Sequence, residues 1–363
     1  MREFSLLIKP ASWSCNLACR YCFYLKKSEL YPGPQPRMSE AVLEQMIVDF
    51  FATPMPTYTF GWQGGEPTLM GLDFFRRAVE LQTRHCPPGS RVANALQTNG
   101  TLLTAEWAKF LRQHHFLVGL SIDGPEALHD RNRRTSDGRG TFRTVDEAIR
   151  LLRRSGVEFN ALTLVNAANA AKPLDIYRFL TGKGIDYHQY IECIEPGRDC
   201  SVGNRAWGEF HNAIFDYWYK NDVGKVSIRL FDSIVNQLVT GFADCCIRSE
   251  NCRHYLVVEH NGDVYPCDFH VLPELKLGNL AETSLAACFE SESFHAFGER
   301  KSVLTPECRA CRHLEFCRGC CLKNRDEHNQ SRLCEGWQLF YDHTIPRFRL
   351  LADRVRRGDF ARK

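Results

Sequence analysis

Three cysteines, Cys15, Cys19 and Cys22, stand in the run CNLACRYC with Cys-x3-Cys-x2-Cys spacing. Thiolates hold iron–sulfur clusters, usually four to a cube, so a triplet leaves one iron of a four-iron cluster without a protein ligand. That iron is open to a substrate-like cofactor. The plainer readings are a three-Cys zinc site completed from a distance, or buried core thiols. Zinc ligands come most often as Cys-x2-4-Cys pairs joined to a second pair, and a compact x3-then-x2 triplet fits that poorly. A second set lies far downstream: Cys252, Gly262 and Cys267, then Cys308-x2-Cys311-x5-Cys317-x3-Cys321, and Cys334 after a gap. Its CxxC at 308 and 311 would also permit two zinc sites of four thiolates each.

Composition narrows what these thiols do. The chain has 363 residues, 44% of them hydrophobic and 25% charged, enough for one large domain and a smaller one. Its 46 basic and 43 acidic residues nearly balance at +3, so no nucleic-acid partner is expected, and Arg131, Arg133 and Arg134 read as solvated face or ligand contacts and not as an RNA stripe. No apolar run reaches the roughly 18 residues of a membrane span, and the start MREFSLLIKPAS lacks a secretory h-region. Seventeen cysteines would build a disulfide framework only in an oxidising compartment. Reduced, metal-binding thiols in the cytoplasm are the expectation.

The elements that position the cysteines alternate. From residue 5 to about 192, β-prone runs (Leu6–Ile8, Tyr58–Trp62, Arg91–Gln97, Leu117–Ile122, Glu158–Val165, Ile185–Ile191) are separated by amphipathic stretches, the pattern of βα units on a parallel sheet. Ser39 reads as the N-cap of a helix whose Val42, Leu43, Met46, Ile47 and Phe50 share one face. Phe74, Phe75, Ala78, Val79 and Leu81 recur at helical spacing in the next. Residues 205–242 read as two helices, the first aromatic-rich. Asn261-Gly262 signals a hairpin turn, and a last helix runs from about Trp337 to Arg357. The unusual residues follow strands: the Cys triplet, QGGEPT at 63–68, QTNGT at 97–101 and SIDG at 121–124. In parallel barrels, chemistry gathers at those strand ends.

The triplet, with an aromatic residue just before its last cysteine, resembles the radical S-adenosylmethionine (SAM) enzymes. That resemblance implies an α/β fold with a partial (β/α)6 barrel. By the same resemblance, Gly65 and Glu66 of GGEP contact the methionine amino and carboxylate groups of SAM, Ser121 and Arg133 contact its methionine portion, and Tyr21 and Ile194 lie by its nucleoside. An arginine fork suits a carboxylate, pairing two oxygens at once. The division of labour implied is that the cofactor brings radical chemistry and the protein brings binding and orientation.

The second cysteine set resembles the SPASM domain of radical SAM enzymes that modify peptides, a cysteine-rich region of short β-hairpin and helices. It implies two auxiliary four-iron clusters, one on Cys246, Cys252, Cys267 and Cys321, the other on Cys308, Cys311, Cys317 and Cys334. With the N-terminal cluster this makes three, and full protein ligation points the auxiliary pair to electron transfer or structure. The pairs Cys245-Cys246 and Cys320-Cys321 leave the register open, with the x5 and x3 spacings favouring Cys246 and Cys321. Cys86, Cys193, Cys200, Cys245, Cys288 and Cys320 are assigned no chemistry. The expected domains are 1–235 (barrel and following helices), 236–336 (SPASM) and 337–363 (C-terminal helix).

Whole phrases (SLLIKPAS, CFYL, QGGEPTLMGLDFF, LQTNGTLL, FLVGLSIDGP, VSIRLFD, DVYPCDFHVL) closely resemble the anaerobic sulfatase-maturating enzymes. The activity implied is oxidation of one Cys or Ser of a sulfatase, in a Cys/Ser-x-Pro-x-Arg motif, to Cα-formylglycine without oxygen. An electron donor such as flavodoxin or ferredoxin is implied as a partner. Asp268, beside Cys267, matches the family's proton acceptor. It would take the substrate proton while the 5′-deoxyadenosyl radical removes a Cβ hydrogen, the auxiliary clusters accepting the electron; its plainer role is to orient the cluster loop. Two other functions compete. Another SPASM-type maturase, such as a thioether-forming one, commonly carries a leader-binding module, whereas only fourteen residues precede Cys15. A zinc-stapled peptide- or nucleic-acid-binding protein would need a basic stripe that the charge balance lacks.

Overall fold

Strand β1 (Ser5–Lys9) is buried at Leu6, Ile8 and Lys9 in the computed structural model, which describes residues 3–33 and 35–359. The outermost residues of the first and last expected domains, 1–2 and 360–363, lie outside the described residues. After β1 come α1 (Glu40–Phe51), β2 (Thr57–Trp62), α2 (Leu72–His85), β3 (Arg91–Thr98), α3 (Ala105–Gln113) and β4 (Leu117–Ser121). Then follow α4 (Glu126–Asn132), α5 (Phe142–Arg154), β5 (Phe159–Val165), α6 (Pro173–Gly182) and β6 (Tyr187–Glu192). The chain continues through α7 (Asn204–Asn221), β7 (Ser227–Ile228), α8 (Arg229–Thr240), β8 (Tyr255–Glu259), β9 (Asp263–Tyr265) and β10 (Gly278–Asn279). It closes with α9 (Leu285–Glu290), α10 (Glu292–Glu299), α11 (Pro306–Ala310), α12 (Leu314–Cys317) and α13 (Cys334–Arg356).

These elements form two compact units. The first combines the residues up to Ser121 with Arg133–Phe159 and Cys252–Glu299, and the second Ile122–Asn132, Asn160–Asn251 and the residues from Arg300 onward. In the first unit β1, β2, β3 and β4 pair in parallel, which requires crossover connections and explains the helix between each pair. Strand β8 joins the other edge of β1, also in parallel, with Ser5 opposite Tyr255 and Lys9 opposite Glu259. Strands β9 and β10 then pair antiparallel, and Gly262, at φ +85°, supplies the left-handed turn residue between β8 and β9.

The expected helix faces are present. The Ser39 hydroxyl accepts the Val42 N–H at 3.2 Å, and Leu43, Met46, Ile47 and Phe50 are fully buried. Phe75, Ala78 and Leu81 bury the matching face of α2. Trp62 keeps its indole N–H satisfied on Asn94 Oδ1 (2.8 Å), and Asn94 is held by Gln82 through bonds of 2.8 and 3.1 Å. One boundary moves. The sixth strand begins at Tyr187, not Ile185, because the Ile185 N–H still caps α6 on the Leu180 carbonyl after Gly184 turns at φ +68°.

In the second unit β5, β6 and β7 are parallel, and α7, α8 and α13 pack together around Phe215, Phe231, Phe340 and Phe348. Helices α7 and α13 approach through glycines. A Cβ on Gly336 would stand 2.2 Å from the Asn204 carbonyl oxygen, and one on Gly208 would stand 2.3 Å from that of Gly336. Neither oxygen can move without bending a helix. Gly336→Ala is therefore expected to destabilise the protein by about 1–3 kcal/mol; an unchanged thermal melt, followed by circular dichroism, would contradict this contact.

Candidate active site

The cysteine triplet lies on the loop that leaves β1. This loop is bound to the one leaving β2: the Gly65 N–H donates to the Ser12 carbonyl at 2.6 Å and the Glu66 N–H to the Ser14 carbonyl at 2.8 Å. A Cβ on Gly65 would fall 2.0 Å from the Ser14 oxygen, so only glycine fits. Glu66 is buried, and its Oε1 accepts from the Thr68 N–H and from the hydroxyls of Thr68 and Thr98 at 2.6–3.1 Å. Its Oε2 accepts the Asn99 N–H at 2.8 Å. Burial raises the Glu66 pKa and these four bonds oppose the rise. Asn99 in turn donates to Asn16 (2.9 Å) and reaches Cys15 Sγ at 3.8 Å. Three strand ends thus converge on the first cysteine.

Cys15 is half-buried, and desolvation, then the nearby Glu66 charge, pushes its thiol up to about 12. A thiol so placed ionises when a metal cation is its partner, and Cys19 and Cys22 are its electrostatic neighbours. The donor set therefore suits a cluster. The Cys22 N–H donates to the Cys19 carbonyl at 3.0 Å, which curls the two into one turn.

The other expected SAM contacts are at strand ends or beside the triplet. Ser121 ends β4 and is buried. The Arg133 guanidinium lies 5.4 Å from the centroid of the Tyr21 ring, a stacking that sequence distance hides. Arg133 is 9% exposed while its neighbours Arg131 and Arg134 face solvent. In the second unit Ile194 is buried just beyond β6, and that strand end is tied to the cysteine-rich segment by Asn324 to Glu192 (2.6 Å) and Lys323 to Glu195 (2.8 Å).

Asp268 follows Cys267 after β9 and is 9% exposed. Its Oδ2 stands 3.7 Å from Lys9 Nζ, its Oδ1 accepts the Tyr255 hydroxyl at 3.2 Å, and the same hydroxyl lies 3.3 Å from Cys267 Sγ. Lys9 is fully buried; desolvation lowers its pKa, with Asp268 and then Glu259 opposing. Its ammonium faces the Tyr24 ring at 4.8 Å, and the Tyr24 hydroxyl donates to Glu259. Sequence reasoning missed Lys9, Tyr24 and Tyr255. The available signal was a lysine closing the apolar run SLLIK.

The remaining cysteines divide between the units. Cys252 and Cys267 belong to the first, and Cys246 and Cys321 to the second. Cys308, Cys311, Cys317 and Cys334, all in the second, line one cavity together with Trp337 and Tyr341. Four cysteines lining one cavity suit the thiolate ligation of a cluster, and the buried Trp337 indole N–H beside them has no partner in protein. Cys320 is fully buried at φ +62°, its carbonyl accepting from Lys301 at 2.7 Å, and Cys245 Sγ lies 3.5 Å from the Ser233 hydroxyl. Cys193, Cys200 and Cys288 are buried as well.

Comparisons with known proteins agree with this arrangement. The model of the Radical SAM superfamily matches residues 14–195, and that of the SPASM iron–sulfur cluster-binding domain matches residues 246–312. The chain is 39% identical to the serine-type anaerobic sulfatase-maturating enzyme of Bacteroides thetaiotaomicron, over 94% of this chain and 89% of that one. It is 36% identical to the cysteine-type enzyme of Clostridium perfringens, over 98% of this chain and all of that one. A solved structure of anSMEcpe with bound AdoMet and the Cp18Cys peptide superposes with a TM-score of 0.91 at 35% identity, covering 97% of this chain and all of that one. A mixed α/β radical SAM fold with a C-terminal SPASM domain, SAM and [4Fe-4S] clusters follow from this match. The chain belongs to the anaerobic sulfatase-maturating enzymes of the radical SAM superfamily.

Proposed function

We propose that this chain oxidises one Cys or Ser of a sulfatase polypeptide to Cα-formylglycine, with Asp268 as the base. The observation that carries the reading is the Asp268 corner: a buried carboxylate one residue after a cluster cysteine, held at each oxygen by a different donor. Cys15, Cys19 and Cys22 hold the SAM-binding cluster, with Gly65, Glu66, Ser121 and Arg133 at the methionine end and Tyr21 and Ile194 at the nucleoside. Cys246, Cys252, Cys267 and Cys321 hold one auxiliary cluster, and Cys308, Cys311, Cys317 and Cys334 the other.

When bound, SAM and the clusters supply a 5′-deoxyadenosyl radical that removes a hydrogen atom from the substrate Cβ, and an acceptor for the electron left behind. The protein supplies the proton transfer. Asp268 accepts the proton of the substrate thiol or hydroxyl, and loss of hydrogen atom, proton and electron together leaves a thioaldehyde or aldehyde. Water then converts the thioaldehyde to formylglycine and releases sulfide. Lys9 and Tyr255 hold the carboxylate in place, which general-base catalysis requires within hydrogen-bond reach of the proton. The substrate motif is Cys/Ser-x-Pro-x-Arg and the electron donor a flavodoxin or ferredoxin. No helix among the described residues is long and apolar enough to cross a membrane, and reduced cluster thiols fit a cytoplasmic setting.

Three measurements test this. Anaerobically reconstituted enzyme given SAM, a reductant and peptides bearing Cys-x-Pro-x-Arg or Ser-x-Pro-x-Arg should convert at least one to formylglycine, read as a mass change. Release of 5′-deoxyadenosine with both peptides unchanged would favour a different maturase. Asp268→Asn should lower formylglycine formation about 100-fold or more while 5′-deoxyadenosine release and iron content persist; a near wild-type rate removes Asp268 as base. Glu66→Gln loses at least one of the four donors that Glu66 gathers, so SAM should bind about tenfold more weakly at unchanged iron content. Unchanged affinity would show that this network does not shape the SAM site.

A further inference from the structure

Cys334 is the first residue of α13, a 23-residue helix, so its sulfur lies at the positive end of a helix dipole. Two side-chain amides reach that sulfur. Gln330 Nε2 donates to Cys334 Sγ at 3.7 Å, and Gln338, one turn along α13, donates at 3.5 Å. Across the same cavity the His313 backbone N–H donates to Cys311 Sγ at 3.4 Å. The Trp337 indole N–H, on a residue 5% exposed that lines the cavity, has no partner in protein. Donors thus surround this cysteine set, and the two glutamines converge on one corner of it.

We propose that Gln330 and Gln338 tune the cluster held by Cys308, Cys311, Cys317 and Cys334, raising its reduction potential so that it better accepts the electron released by the substrate. The inference rests on the electron-acceptor role given to the auxiliary clusters above. Hydrogen bonds to cluster sulfurs are among the determinants of potential. An amide N–H directed at a thiolate stabilises the extra negative charge of the reduced state more than the oxidised one, which moves the midpoint upward. Gln330 is partly buried, whereas Gln338 is exposed to competing water, so Gln330 has the larger effect.

Potentiometric titration followed by electron paramagnetic resonance reads this directly. The reconstituted enzyme is compared with Gln330→Met, Gln338→Met and the double variant, in which methionine keeps the side-chain length without the donor. A background with Cys15, Cys19 and Cys22 replaced by alanine shows the auxiliary signals alone. One auxiliary midpoint should shift to more negative values, further in Gln330→Met than in Gln338→Met and furthest in the double variant, with the other auxiliary midpoint and the iron content unchanged. Gln330→Glu, which adds charge and removes the donor, should shift it further than Gln330→Met. Wild-type midpoints in every variant would overturn the proposal. So would loss of one cluster's iron, which would make the amides anchors and not tuners. The midpoints are read without substrate, so a wild-type enzyme that yields no formylglycine would sink the function proposed above while leaving the tuning to stand or fall on its own shift.

Discussion

The first unit depends on a backbone contact with no spare volume. The loops leaving β1 and β2 touch at Gly65, where any side chain would strike the Ser14 carbonyl. Because the loops cannot separate, the Glu66 carboxylate is carried into the interior, where an unpaired charge would cost several kcal/mol. Thr68, Thr98 and Asn99 offset that cost by donating to it, and in doing so they recruit the end of β3. The geometry around Cys15 follows from this chain of necessity. The loop holding the cysteines keeps its shape because its neighbours have nowhere else to put a buried acid.

Strand β1 positions both cysteine-bearing and acidic segments of the first unit. Its outgoing loop carries Cys15, Cys19 and Cys22, and its last residue, Lys9, faces Asp268. That second role exists because β8 lies in parallel register along β1, setting Lys9 opposite Glu259 and bringing the segment after β9 to the same end of the sheet. A lysine buried here needs nearby acids, and Asp268 and Glu259 are the two largest of its favourable charges. The placement of Asp268 is thus a consequence of strand pairing between the two ends of the chain.

Much of this was legible in the sequence, for identifiable reasons. The parallel strands announced themselves by β-branched and aromatic runs at regular intervals, and α1 by a serine cap and one apolar face. The two cysteine sets stood out because their spacing is local. What stayed hidden was pairing over long separations. Asn261-Gly262 marked a hairpin, but nothing in residues 255–265 says that its first strand lies against residues 5–9. Likewise the stacking of Arg133 on Tyr21 and the clasp of Lys9 on Asp268 join residues whose identities carry no mark of each other. The start of α13 at Cys334 was obscured because a cysteine followed by Glu-Gly reads as loop, although its dipole matters for the sulfur it holds.

The parallel pairing of β1 with β8 also bears on how the protein is made. Ser5 and Tyr255 are partners separated by 250 residues, so on a ribosome adding about 5–20 residues per second β1 waits roughly 10–50 s for its second neighbour. During that interval one edge of an apolar strand is open to pairing with another chain. The loop bearing Cys15, Cys19 and Cys22 hangs from that incomplete edge. The surroundings of that loop are therefore complete only once residues 255–259 have been made and have paired with β1.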